Sequence, residues 1–277
     1  MLITNGQEKS RQVLLEHRKK PFTLAITLRQ TSGMKYSEAA PHPALSKYVD
    51  AYWTATGSSK TVAVEKILPD GCVDIIFNVG NDCYTDNGAV LMNNAKAYLV
   101  GTMTRFKETE MDSSTRLLGV RFKPGTFLGF FNYAPLCEIA NRTVELDAHF
   151  CFNTNKLIKS PFEFLDKLLF KNLKSPNQHL LEQIQTIQKS KGQVKIEELA
   201  SIHFTTVRQL ERNFKHHLGI TPKEFVNLVR YQNVKAAIEQ RKPGQSLLSI
   251  AFEFGYYDHA HLTNHFRQYN GSTPSVF

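Results

Sequence analysis

Two stretches decide the reading of this chain: IEELASIHFTTVRQLERNFKHHLGITPKEF, residues 196–225, and LLSIAFEFGYYDHAHLTNHFRQYNGSTPSVF, residues 247–277. Laid over each other, Leu210 falls on Leu262, Phe214 on Phe266, Thr221-Pro222 on Thr273-Pro274, and Phe225 on Phe277. Ala200 falls on Ala251, so the second copy carries one extra residue between the two halves of the unit. A short unit written twice is one supersecondary element used twice, and it takes precedence over any reading of single elements.

Each copy reads as helix, tight turn, helix. The first helix is short and apolar on one side, through Ile196, Leu199 and Ala200 in one copy and Leu247, Ile250 and Ala251 in the other. The second helix opens on a capping residue. Thr206 with Gln209 three positions on has the capping-box spacing, and Asp258 caps after Gly255-Tyr256-Tyr257. Val207, Leu210 and Phe214, then Leu262 and Phe266, recur at helical spacing and predict the buried stripe. The opposite faces carry Thr206, Arg208, Gln209, Glu211, Arg212 and Lys215, and then His259, Ala260, His261, Asn264, His265 and Arg267. Most of these side chains can read base edges or hold phosphate.

This tandem, each copy closing on Thr-Pro-x-x-Phe, resembles the C-terminal DNA-binding domain of AraC/XylS-type transcription regulators. The resemblance covers about the last third of the chain. It implies two helix-turn-helix units joined by one long helix starting at Pro222, with Arg208, Glu211 and Arg212 at base-facing positions of the first recognition helix. Ala260, His261 and Asn264 are the corresponding positions of the second. Two departures stand out: Phe204 occupies the place where the first turn of that family has Gly, and Ala260 and Asn264 are short for base readers. The first helix is therefore expected to supply most of the sequence discrimination, and the second to position the domain on the backbone.

The chain has 277 residues and a formal net charge of +9. It is long enough for two cores, and its basic balance suits a polyanionic partner without requiring one. Residues 1–35 form a basic extension with no secretory pattern, and Met34 is an alternative start. No apolar run approaches the ~18 residues of a membrane helix. Cys72, Cys83, Cys137 and Cys151 lack zinc spacing and read as reduced thiols, so the expectation is a cytoplasmic protein with no membrane partner.

Residues 36–150 read as a β-rich regulatory or sensory domain. Val62 to Leu68, Cys72 to Val79, Ala97 to Thr102 and Thr115 to Phe122 are strand-like. Asp70-Gly71 signals a hairpin within Ile67 to Asn78. Leu117 to Phe122 is apolar on both faces, as a central strand would be, while Thr126 to Asn132 reads as helical. The phrase Leu68-Pro-Asp-Gly-Cys-Val-Asp-Ile-Ile-Phe-Asn78, with Gly119-Val-Arg-Phe-Lys-Pro-Gly125, resembles an uncharacterised sensory domain found ahead of such DNA-binding domains. Trp53, Asp70, Asp74 and Arg121 are the candidate ligand-binding residues. The plainer alternative has Asp70 serving the turn, Asp74 and Arg121 paired or solvated, and Trp53 in the core.

Residues 151–190 read as a helical linker or dimerisation region, with Pro161 to Asn172 and Pro176 to Lys189 as helices and Leu180, Leu181, Ile184 and Ile187 as an apolar stripe. The boundary to the DNA-binding region, 191–277, falls at Lys189 to Gly192. His261 and His265 have a metal-ligand spacing but no third ligand, and no nucleophile elbow or phosphate loop occurs. The expectation is α+β: an antiparallel β-rich domain with helices, then an all-α domain with two helix-turn-helix motifs. It has no catalytic residues, no cofactor and no metal. The function expected is sequence-specific binding of double-stranded DNA to regulate transcription. RNA polymerase, a small-molecule effector and a second copy of the chain are further candidate partners. The competing expectation is a protein-interaction module that keeps the helical fold without reading DNA.

Overall fold

A computed structural model describes residues 26–30, 33–133, 135–147, 154–241 and 244–274. The expectations for the extension up to residue 25, for Cys151 and for Phe277 lie outside them. Strands β1 (Ile26–Gln30), β2 (Met34–Ala39), β3 (Val49–Gly57), β5 (Val73–Asn78), β8 (Ala97–Val100), β10 (Arg116–Phe122) and β11 (Thr143–Glu145) form one antiparallel sheet in the order β1-β2-β3-β10-β5-β8-β11. Two ribbons, β4 (Ala63–Ile67) with β9 (Lys107–Met111) and β6 (Cys83–Thr85) with β7 (Val90–Met92), complete the β part.

Alternation along the strands assigns the two faces of the large sheet. Tyr52, Val73, Ile75, Phe77, Leu118, Val120 and Phe122 form one core with Leu165 and Leu169. Trp53, Ala55 and Leu117 point the other way and pack with Cys83, Met92 and Met111 of the ribbons. Strand β10 lies between β3 and β5 and is buried on both faces from Leu117 to Val120, as its poor alternation predicted. Within it, Gly119 is paired directly with Trp53. A Cβ at Gly119 would overlap the indole ring, so this strand position has room for a glycine alone.

The expected hairpin at Asp70-Gly71 does not form. β4 pairs with β9, whereas β5 pairs with β10 and β8. The turn itself is present: Asp70 Oδ1 accepts the Cys72 N–H at 2.9 Å, and Gly71 has a φ of 81°. It carries the chain from a ribbon into the large sheet. Residues 126–132 hold one short 3₁₀ turn, Phe127–Gly129, rather than a longer helix.

The helices are α1 (Thr154–Lys159), α2 (Pro161–Asn172), α3 (Gln178–Lys189), α4 (Ile196–Ile202), α5 (Val207–Leu218), α6 (Pro222–Glu239), α7 (Leu247–Glu253) and α8 (His259–Asn270). α3 begins after Pro176, with the Asn177 side chain accepting from Leu180 N at 3.1 Å. Its stripe, Leu180, Ile184 and Ile187, is buried with Leu199, Leu210, Phe214 and Phe225. α6 is the shared spine. Its Phe225, Val226 and Val229 close the core of the first unit, and its Leu228, Tyr231 and Val234 close the core of the second. Among the described residues no helix is long and apolar enough to cross a membrane.

The β part and the helices are in direct contact. α5 and α8 both end on a left-handed glycine, Gly219 (φ 84°) and Gly271 (φ 76°). A Cβ at Gly219 would come within 2.6 Å of the Leu136 carbonyl oxygen, and one at Gly271 within 2.6 Å of the Phe106 ring. Lys66 Nζ also donates to the Asn270 carbonyl at 3.4 Å.

Two outcomes follow. Gly119→Ala forces the indole of Trp53 out of place and is expected to cost about 1–3 kcal/mol by overpacking, read as a lower thermal midpoint with shifted tryptophan emission. The second concerns His265, whose Nδ1 lies 2.6 Å from the Tyr256 hydroxyl and whose ring packs on Tyr269. Burial, with Arg230 and His261 nearby, lowers its pKa to about 4; burial with His216 nearby does the same to His217. Their folded values lie below the unfolded value, so this contribution to stability is present above pH ~6.5 and is lost as pH falls from there toward 4. Thermal melts between these limits should show the loss, and His265→Asn should reduce its size.

Candidate DNA-reading helices and the cavity behind them

The first candidate reader, α5, is capped by Thr206, whose hydroxyl accepts the Gln209 N–H at 3.1 Å. Leu210, Phe214 and Leu218 are buried along one side. Arg208, Glu211, Arg212 and Lys215 are exposed along the other, with Gln209 half-buried and donating to Asn213 Oδ1 at 2.9 Å. Two arginines one helical turn apart, on a helix held by its opposite face, present two planar forks on a rigid rod. Such a fork matches the paired acceptors of guanine in the major groove.

The second, α8, is capped by Asp258, which accepts the His261 N–H at 2.7 Å. Leu262, Phe266 and Tyr269 are buried. His259, Ala260, His261, Asn264 and Arg267 are exposed. His265 is the exception in the expected set: it faces the core and bonds Tyr256, so it supports the helix from behind. Gln268 is exposed one turn beyond Asn264 and shares its face. The sequence reading passed over it, although its spacing from His261 and Asn264 was the available signal.

Behind the helices, Trp53, Asp70, Asp74 and Arg121 all line one cavity of 140 Å³ between the large sheet and the ribbons. Arg121 Nη1 donates to Glu38 Oε1 at 2.9 Å and Nη2 to the Tyr36 hydroxyl at 3.0 Å. Its Nε lies 3.2 Å from Asp70 and 3.8 Å from Asp74, and Nη1 lies 3.9 Å from Asp50. Trp53 Nε1 donates to Asp74 Oδ1 at 2.6 Å. Burial, reinforced by Asp70 and only partly offset by Arg121, raises the Asp74 pKa to about 7. Burial and the same aspartates push the Cys72 thiol well up, which makes it a poor nucleophile. At the far end Lys107 is held by Asp86 at 2.7 Å and by Thr143 at 3.2 Å.

Apart from Thr85 and Thr109, whose hydroxyls bond each other at 2.8 Å, the rest of the lining is apolar and includes Met34, Met92, Met103 and Met111. These are four of the chain's five methionines. The sequence reading missed this group; methionines spread over four separate segments carry no periodic signal. Outside the cavity, His179 and Glu182 on α3 and His203 after α4 bring three potential metal-ligating atoms within 4.8 Å of one another. His203 Nε2 is already 2.9 Å from the Thr186 hydroxyl.

Comparison with known proteins divides the chain in the same way. Residues 37–145 match the family described as "Domain of unknown function (DUF6597)", and residues 199–277 match the family described as "Helix-turn-helix domain". An uncharacterized HTH-type transcriptional regulator of Haemophilus influenzae is 32% identical over 94 residues, 34% of this chain and 31% of that protein. The HTH-type transcriptional regulator MtrA of Neisseria gonorrhoeae is 32% identical over 95 residues, 34% of this chain and 30% of that protein. The match spans about a third of the length of these curated relatives. Among solved structures, ToxT from Vibrio cholerae aligns over 79% of this chain and 97% of its own, at 11% identity and a TM-score of 0.44. The chain thus ends in a region that matches a helix-turn-helix domain family, carried behind one that matches the domain of unknown function.

Proposed function

We propose that this chain is a sequence-specific DNA-binding transcription regulator whose β-rich domain holds a small ligand that alters DNA affinity. The observation that carries the reading is the pair of capped helices, α5 and α8, with buried inner faces and exposed polar or basic outer faces on one shared spine, α6. The alternative, a protein-interaction module, gives no reason for Arg208, Arg212 and Lys215 to be kept exposed on one helix and Arg267 on the other.

The ligand half of the reading is supported by the segment between β4 and β5. Asp70 and Cys72 line the cavity, while Gly71 between them packs on α6, where a Cβ would lie 3.1 Å from Phe225 and 3.4 Å from Leu228. A molecule that displaces Asp70 thereby moves the backbone against the spine of both readers. By linkage, such a ligand binds the DNA-bound and free forms with different affinity. In this reading residues 36–150 sense, residues 191–277 bind DNA, the protein works in the cytoplasm, and RNA polymerase and a second copy of the chain are further partners.

Gel-shift and anisotropy titrations against the DNA upstream of the protein's own gene test the reading. The two helices should contact sites about one helical turn, ~10 base pairs, apart. Arg212→Ala should lose about 1–3 kcal/mol of discrimination at one base pair, and Asn264→Ala should lose less. Arg267→Ala should weaken all sequences about equally and lower the slope of log K against log salt by about one unit. A larger loss of discrimination for Asn264→Ala than for Arg212→Ala reverses the assignment of the two helices. Equal affinity for every sequence tested removes the regulator reading.

A further inference from the structure

The cavity that the β-rich domain encloses has an electrostatic character of its own. Glu38, Asp50, Asp70 and Asp74 surround the single guanidinium of Arg121 at 2.9–3.9 Å. Lys47 and Lys123 lie on the outer side, along a groove that Asp50, Asp70 and Arg121 share. Lys107, at the opposite end, is paired with Asp86. Four carboxylates facing one cation leave a negative surplus at the end of the cavity where Asp70 and Asp74 line it. An anion entering there meets the four carboxylates around Arg121, whose Nη1 and Nη2 already donate to Glu38 and Tyr36. A cation meets the opposite situation.

The remaining walls set the body of the ligand. Trp53 and Tyr36 contribute two rings packed on each other, their centroids 6.0 Å apart, and Met34, Met92, Met103 and Met111 offer soft, adaptable side chains. A cavity of 140 Å³ is the size that takes up one benzene ring when its walls are apolar, about 150 Å³ in the engineered example.

We propose that this cavity binds a small apolar molecule bearing one protonated amine, its ammonium seated between Asp70 and Asp74 and its apolar body against Trp53 and the methionines. The proposal rests on the reading of the β-rich domain as the ligand-holding half of the protein and names the class of that ligand. The high pKa of Asp74 agrees with it: the buried carboxylate lacks a full counter-charge, and an ammonium supplies one.

The chain contains one tryptophan, and it lines the cavity, so its emission reports occupancy. Full-length protein is titrated with 2-phenylethylamine, 2-phenylethanol and phenylacetate, which share a ring and differ in the head group. At about pH 8 the amine is expected to give a saturable change, the alcohol to bind at least about tenfold more weakly, and phenylacetate to give none. Lowering the pH from about 8 to about 6 weakens the amine several-fold, because protons compete for Asp74, and leaves the alcohol unaffected. Asp74→Asn retains an acceptor for Trp53 Nε1 and is expected to abolish the preference for amine over alcohol. The wild-type pH series gives the same information should that variant not fold. Phenylacetate binding as tightly as the amine, equal affinity of amine and alcohol, or no saturable change with the amine up to ~10 mM overturns the proposal. None of these titrations contains DNA, so their failure leaves the DNA-binding reading standing. Amine binding that leaves the gel shift unchanged removes the sensing role and keeps the site.

Discussion

Residues 68–72 join the cavity of the β part to helix α6, and the rest depends on the close contact made there. Gly71 has no side chain to hold it away from α6, and its left-handed φ of 81° is the conformation that lets Asp70 and Cys72 turn back toward the cavity. A larger residue at Gly71 would be strained in its backbone and pressed against Phe225. Phe225 belongs to the core of the first helix-turn-helix unit, and Leu228, its neighbour one turn on, to the core of the second. A shift of this segment therefore reaches both reading helices through one rigid element, and packed cores transmit such shifts with little loss.

The docking of Gly219 and Gly271 on the β part belongs to the same arrangement. Both α5 and α8 end against the β part, where Gly219 meets Leu136 and Gly271 meets Phe106. Their exposed faces remain open. The interface thus uses the backbone ends of the helices and leaves the exposed side chains of α5 and α8 outside it, an arrangement available because a left-handed glycine exposes bare backbone.

The helical part was largely legible in the sequence because its signals are local. Thr206 and Asp258 are caps at the expected positions, and Leu210, Phe214, Leu262 and Phe266 are buried as their spacing required. The β part was legible in its strands but not in their partners. Asp70-Gly71 reported a reversal correctly, yet a two-residue signal holds no information about which strand lies alongside β4, and that partner is β9, about forty residues on. Three of the four ligand candidates, Asp70, Asp74 and Arg121, were separable from the rest because charge in a β-rich run is uncommon. The methionines and Tyr36 were not, since apolar residues line cavities and cores alike. Their shared destination depends on strand order, which emerges only when the sheet is assembled. His265 was misplaced for a related reason: helical periodicity put it near the outer face, while Tyr256, in the preceding turn, draws its ring inward.

The departure at Phe204 shows what the turn of this unit requires. Phe204 and Gly255 hold equivalent places, both with positive φ, 47° and 71°. The hydrogen bonds around them are the same in kind. Phe204 N donates to Ser201 O at 3.1 Å and Thr205 N to Ala200 O at 3.0 Å; Gly255 N donates to Phe252 O at 3.1 Å and Tyr256 N to Ala251 O at 2.9 Å. These bonds satisfy carbonyls that the end of the first helix would otherwise leave bare. The left-handed conformation is thus imposed by the closing of the helix and by the buried alanine of each copy, Ala200 and Ala251. Glycine meets that requirement without strain, whereas a bulky residue meets it at a cost of about 1–2 kcal/mol. Nothing in the described structure repays that cost through packing, because Phe204 is 99% exposed. The fold tolerates the residue because the turn is held from both sides, by Leu199 and Ala200 behind it and by Leu210 ahead of it. The backbone geometry of the unit, and not the glycine, is therefore its invariant physical requirement.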